Sequence, residues 1–310
     1  MKKTLYHILA LLVVAIWGVT FVCTKVLLGA GFNQAQIFAL RFLVAYVGIW
    51  ALCLREVPTR RLFSEGFRDE IVFVILGVSG GSLYFYTENS ALIYTQACNV
   101  SFIVCSAPLL TALLTLLVKK LFHGELASGL ETVHRRGALA AGTILALGGM
   151  AAVTFDGQAL NFSARGDLLA LGAAVCWAVY SIYMNWMTGK YGTLFATRKV
   201  FFWGLVTILP FVKPFDFSGF GRIEVWGNFA FLALAASFGG YVLWNKVMKE
   251  LGNVTATNYI YLNPIFTLLA AVYFLGESLS SQSAAGCAAI LAGVVLASGL
   301  RLPQKARPKE

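Results

Sequence analysis

The chain has 310 residues, of which 59% are hydrophobic and only 12% charged, with a formal net charge of +10 and a mean hydropathy of +0.76. Soluble domains carry about 25% charged residues, so composition excludes a soluble enzyme or a soluble nucleic-acid-binding domain. Apolar runs of about 20 residues, enough at 1.5 Å per residue to cross a ~30 Å hydrocarbon core, recur from end to end.

These runs predict an all-α integral membrane protein with ten spans, near residues 5–28, 33–54, 71–93, 98–122, 137–155, 167–188, 194–212, 227–248, 254–275 and 284–302. With the N-terminus inside, nineteen of the 24 Lys and Arg residues fall on inner segments, three on outer ones, and Lys25 and Arg41 within spans. That asymmetry is the positive-inside pattern. The net charge therefore reports orientation, with both termini cytoplasmic in a bacterial inner membrane, and no nucleic-acid partner is expected. Lys2-Lys3 and the apolar run behind them imitate a secretion signal. The run is too long and lacks a small-residue cleavage site, so it reads as the retained first helix. The six cysteines lie in or beside spans without CxxC or metal-ligand spacing, and read as small apolar residues.

In chain order, the first span carries Trp17-Gly18 and the second Phe38-Ala39-Leu40-Arg41. The third sets Gly77, Gly81, Tyr84 and Glu88 on one helical face, suited to close contact and an interior cavity. Pro108 interrupts the fourth span, and Ala138, Gly142 and Ala146 form a small-residue stripe on the fifth. The order then restarts. Trp177, Tyr180, Ser181 and Asn185 echo the first span, Phe195-Ala196-Thr197-Arg198 the second, and Asn245 and Pro264 answer Asn89 and Pro108. Gly276-Glu277 answers Gly124-Glu125, and Ala285, Ala289, Gly293 and Ala297 form a second stripe. The chain thus divides into halves of five spans, 1–156 and 157–310. An odd number of spans makes the second half enter the membrane from the opposite side. Inverted repeats around a central cavity are the signature of alternating-access transporters.

Glu88 is the only acidic residue well inside an apolar segment. A carboxylate in hydrocarbon costs several kcal/mol unless it faces a polar interior or a partner, which makes it a functional-site hypothesis. A carboxyl group sheltered there is suited to exchanging protons or binding an amine. The competing reading is a neutral, hydrogen-bonded structural Glu.

These motifs carry a family resemblance. Trp17-Gly18, Phe21 and Lys25 in the first span, Arg41-Phe42 in the second, Thr95 to Pro108 and Asn253 to Glu277 resemble the EamA-type ten-helix members of the drug/metabolite transporter superfamily, over nearly the whole chain. The resemblance implies a central cavity lined mainly by helices 1, 3, 4, 6, 8 and 9, and substrate movement without ATP. Consistent with that, the sequence has no phosphate-binding glycine loop, and no cofactor or metal is expected. One departure is visible: Pro108 to Glu125 is 17 residues, against 13 from Pro264 to Glu277.

The candidate substrate-binding residues are Glu88, Asn89, Tyr84, Trp17, Trp177, Tyr180, Asn185, Asn245, Tyr261, Asn258, Lys25 and Arg41. Glu88 is also the candidate for proton coupling. The bland alternatives are interfacial aromatic belts for the rings, interhelical hydrogen bonds for the amides, and snorkelling for Lys25 and Arg41. Arg198 and Lys199 read as positive-inside anchors. Pro108 and Pro264 free backbone carbonyls and are candidate kinks or hinges. His7, His123 and His134 read as terminal or in loops. The function expected is export of a small polar metabolite such as an amino acid, because a zwitterion needs both an anionic and a cationic partner. Nucleosides, nucleotide-sugars and lipophilic cations are the alternative cargo. An intramembrane enzyme would need a nucleophile–base pair or clustered ligands, which the sequence lacks. Monomer and homodimer both remain open.

Overall fold

The computed structural model describes residues 2–55, 61–95, 97–121, 136–154, 163–214, 221–275 and 281–298. Gly124-Glu125, Gly276-Glu277, and the histidines at 123 and 134 lie outside them. The described residues form helices and turns. They comprise α1 (Lys2–Gly29), α2 (Gln34–Cys53), α3 (Phe67–Tyr94), α4 (Ala97–Val104 and Ala107–Leu121) and α5 (Arg136–Thr154). Then follow α6 (Ala164–Tyr191), α7 (Thr193–Ile208), α8 (Ile223–Leu251), α9 (Asn253 to Leu275) and α10 (Ser281–Ser298). Each expected span falls on one of these. Among the described residues, seven helices are long and apolar enough to cross a membrane, namely α1 to α4 and α6 to α8. The apolar stretches of α5 and α10, Gly137–Ala152 and Ala284–Ala297, are shorter. The protein is an all-α membrane protein.

Sharp reversals between helices use glycine. Gly31, Gly192 and Gly252 have φ of 96°, 80° and 90°, the left-handed region that side chains with a Cβ avoid. The regular helices are interrupted at corresponding places. α3 contains a π-helical turn at Val78–Ser82 and α8 one at Phe231–Gly239. α4 breaks at Cys105-Ser106, just before Pro108, and α9 tightens to a 3-10 segment at Asn258–Leu262, just before Pro264. A proline ring cannot donate to the helical ladder and crowds the preceding turn, so the irregularity sits where the sequence placed it.

The packing is reciprocal. α1 lies against α8 and α9 as α6 lies against α3 and α4; α2 meets α8 as α7 meets α3; α2 pairs with α7 and α5 with α10. The α5–α10 contact joins the two small-residue stripes. A Cβ on Gly142 would stand 2.5 Å from the Gly293 carbonyl, and one on Gly293 2.6 Å from the Gly142 carbonyl.

The two ends of the bundle are chemically distinct. At the basic end, where α2 and α6 finish and α3 and α7 begin, Lys190 pairs with Asp69 at 2.7 Å, Tyr191 also donates to Asp69, and Lys199 pairs with Glu70. Arg198 donates to the Arg61 carbonyl and lies 4.2 Å from the Trp50 ring centroid. Arg198 and Lys199 are 2% and 3% exposed. Read in the sequence as positive-inside anchors, they are buried here as ties between helices and the 61–66 loop. At the far end, where α2 and α8 begin, Gln36 donates to the carbonyls of Lys213 and Pro214 at 3.1 and 2.9 Å, and Phe32 packs edge-on against Phe229.

Candidate functional site

The helix interruptions prepare the site. A π turn leaves carbonyls outside the regular ladder, and each π turn here has one taken by a side chain of another helix. Tyr241 of α8 donates to the Gly80 carbonyl of α3 at 2.7 Å. Trp17 of α1 donates to the Ala236 carbonyl of α8 at 3.0 Å. Gly80 admits no Cβ, which would fall 2.0 Å from the Tyr180 ring. The absence of a side chain there lets α6 press against α3.

Beside these contacts is a small cavity of about 40 Å³, room for about three waters at ~10–15 Å³ each. Its wall draws on α1, α3, α4, α6, α8 and α9, as the resemblance implied, with α2 added through Arg41. The rings of Trp17, Trp177 and Tyr241 form one face, with Trp17 5.3 Å from Trp177 and 5.9 Å from Tyr241.

Glu88 and Arg41 are the charged groups of the wall. Glu88 is 8% exposed and accepts from Tyr84 Oη at 2.8 Å through Oε1; Oε2 has no protein partner among the described residues. Arg41, 2% exposed, donates through Nε to Ser237 Oγ at 2.7 Å, and its guanidinium lies 4.7 Å from the Phe85 ring centroid. Neither terminal nitrogen of Arg41 has a protein partner among the described residues, and Glu88 is not among the acids in ion-pair contact. One cavity thus holds a guanidinium and a carboxyl group that do not pair directly. In a low-dielectric wall such a pair favours a solute presenting complementary poles.

The structure brings together Trp17, Arg41, Tyr84, Glu88 and Trp177 from the candidate set. The others lie elsewhere. Tyr180 donates to Asn245 Oδ1 at 2.7 Å, and Asn245 Nδ2 donates to Thr197 Oγ1 at 2.9 Å, so both are spent on an interhelical chain outside the cavity wall. Asn89 donates to the Gln34 carbonyl at 3.3 Å, and Tyr261 reaches Thr143 at 3.4 Å. Asn258 is buried with neither amide atom partnered, away from the wall. Asn185 is half-buried and also off the wall. Lys25 is exposed on α1. Its side chain leaves the bundle, as snorkelling lysines do.

The cavity also includes Thr20, Phe21, Phe85 and Asn263, which the sequence reading did not single out for it. Asn263 was legible only as one polar residue among several in the spans. His7, read as terminal, belongs to α1, and its Nδ1 lies 2.6 Å from Tyr259 Oη on α9.

The sequence profile of the EamA-like transporter family matches residues 4–123 and 164–299. An uncharacterized transporter of Archaeoglobus fulgidus is 26% identical over 301 residues, 94% of this chain and 96% of its own. A probable terminal-alkyne amino-acid exporter of Streptantibioticus cattleyicolor is 26% identical over 92% of this chain and 90% of its own. A probable amino-acid metabolite efflux pump of Salmonella typhimurium is 27% identical over 96% and 97%. A solved crystal structure with 22% sequence identity shares the fold at a TM-score of 0.66, covering 96% of both chains. The profile spans most of the chain and both of its halves, so this protein is a member of the EamA-like transporter family.

Proposed function

We propose that the chain is a secondary transporter that exports a small polar metabolite, an amino acid or a derivative of one, by alternating access, with Glu88 coupling the cycle to protons. The observation that carries this reading is the cavity in which Arg41 and Glu88 both keep groups open without pairing. A zwitterion would place its carboxylate on Arg41 and its ammonium on Glu88, with its side chain against the aromatic face. Two relatives bearing amino-acid export names favour the same cargo.

The architecture proposed is two inverted repeats, 1–156 and 157–310. It is supported by the reciprocal helix packing, by interruptions at matching places in both halves, and by the separate profile matches at 4–123 and 164–299. With the basic end cytoplasmic, both termini lie inside the plasma membrane. A lipophilic cation is the second reading, favoured by the ring-lined wall around Glu88. It would make Arg41 dispensable.

The test is counterflow in proteoliposomes holding the purified full-length protein, with a panel of amino acids, nucleosides and lipophilic cations. Accelerated exchange of an amino acid, lost in both Arg41→Met and Glu88→Gln, is the expected result. Exchange of a cation that survives Arg41→Met would establish the second reading. Flux of no probe above that of empty liposomes would overturn both.

A further inference from the structure

Two polar positions, one in each half of the chain, stand in matching places but in opposite states. Aligned on their helix ends, Tyr84 and Glu88 of α3 correspond to Tyr241 and Asn245 of α8, each 157 residues on, one residue from the Asn89–Asn245 match read in the sequence. Glu88 and Asn245 each lie six residues before the end of their helix. α3 begins at the basic end and α8 at the far end, so Glu88 belongs to the far half of the bundle and Asn245 to the basic half.

Asn245 is engaged on both sides of its amide. It accepts from Tyr180 of α6 at 2.7 Å and donates to Thr197 of α7 at 2.9 Å, fastening α8 to two other helices. Glu88 bonds only Tyr84 of its own helix. The positions that answer Tyr180 and Thr197-Arg198 in the first half are Thr20 and Leu40-Arg41, and Thr20 and Arg41 line the same cavity as Glu88. The same imbalance recurs at the tryptophans. Trp17 Nε1 has the Ala236 carbonyl, whereas its counterpart Trp177 has a buried Nε1 without a partner.

Resting on the two-repeat reading above, we propose that Asn245 and Glu88 are paired latches. The Asn245 latch is closed in this structure and holds the basic half shut. The Glu88 latch is open and closes on Arg41 and Thr20 when the Asn245 latch releases. An inverted repeat makes this exchange natural, because each half can adopt the other's arrangement. Contact between Glu88 and Arg41 would bring two opposite charges together as the far half closes, where their attraction is strongest. A solute bound between them would delay that closure.

Hydrogen–deuterium exchange of the full chain in lipid nanodiscs, without substrate, tests the proposal. In Asn245→Ala, peptides at the basic ends of α6 and α8 are expected to exchange several-fold faster, while peptides at the far end of α3 exchange several-fold slower. Faster exchange at the basic end without that reciprocal slowing means Asn245 is merely structural and overturns the proposal. Adding Arg41→Met to Asn245→Ala should return the far end of α3 to its parental rate; persistence of the slowing would remove Arg41 and Glu88 from the second latch. Should Asn245→Ala not fold, Tyr180→Phe and Thr197→Val, each deleting one bond, are read by the same reciprocal criterion. Exchange needs no transported solute, so a chain that shows the reciprocal pattern but moves no probe would refute the transport reading and leave the latches standing.

Discussion

At the scale of single residues, the cavity depends on two kinds of position. Gly80 is the first kind, where function requires an absence. A Cβ there would lie 2.0 Å from the Tyr180 ring, so Gly80→Ala must push α6 from α3 or rotate Tyr180 off Asn245. Overpacking of this kind costs about 1–3 kcal/mol. The expected outcome is a thermal midpoint lowered by several degrees in detergent, against little change for Gly148→Ala, where a Cβ meets nothing within 4 Å. Glu88 is the second kind. Under the proposed coupling, protonated and deprotonated Glu88 take turns in the cavity with Arg41, Tyr84 and Tyr241 around it. Glu88→Gln fixes a neutral group of the same shape. Counterflow by this variant should no longer vary with pH, and an imposed proton gradient should no longer drive accumulation. Retention of the parental pH profile would remove Glu88 from proton coupling. Glu88 itself was legible in the sequence because a lone acid in an apolar run has few innocent explanations. Asn245 and Tyr180 were not separable from cavity residues. A buried amide looks the same in sequence whether it faces a solute or another helix, and only the Tyr180–Asn245–Thr197 chain decides the matter.

At the scale of helices, hydrophobic length and small-residue spacing carried most of the information. Each expected span overlaps a helix, seven of them long and apolar enough to cross a membrane, and the stripes on α5 and α10 meet each other through Gly142 and Gly293. Small residues let backbones approach and gain dispersion contacts that lipid cannot match. The contrast along α5 gives a direct check. A Cβ on Gly149 would approach the Gly286 carbonyl to 2.6 Å, whereas Gly148, one residue earlier, faces open space. Gly149→Ala should lower the thermal midpoint, and Gly148→Ala should leave it unchanged or raise it by removing backbone freedom from the unfolded chain. Equal effects of the two would mean that α5 does not meet α10 along this face. The π turns were illegible. One widened turn shifts the pattern of apolar residues by a single position, too little to stand out in a helix that is apolar on most sides. The prolines marked the other two interruptions because their chemistry forces them.

At the scale of the molecule, the two ends differ in a way that predicts an orientation. The basic end gathers Arg61, Lys190 and Lys199 with their acidic partners and Arg198 on the Arg61 carbonyl, and the sequence reading puts most remaining cations on the same side. Positive residues are retained on the cytoplasmic side during insertion, so the basic end should be inside the cell. Arg68 of α3 and Glu224 of α8 are both exposed, near opposite ends of the bundle. In a chain whose native cysteines have been replaced, Glu224→Cys should react with a membrane-impermeant maleimide on intact cells. Arg68→Cys should react only after permeabilisation. The opposite pattern would invert the molecule in the membrane and turn the proposed exporter's closed half outward. Equal labelling of both sites on intact cells would place them on one face, which is incompatible with α3 and α8 entering from opposite sides. That outcome would remove the inverted repeat itself, and with it the correspondence between Glu88 and Asn245 from which the two latches were inferred.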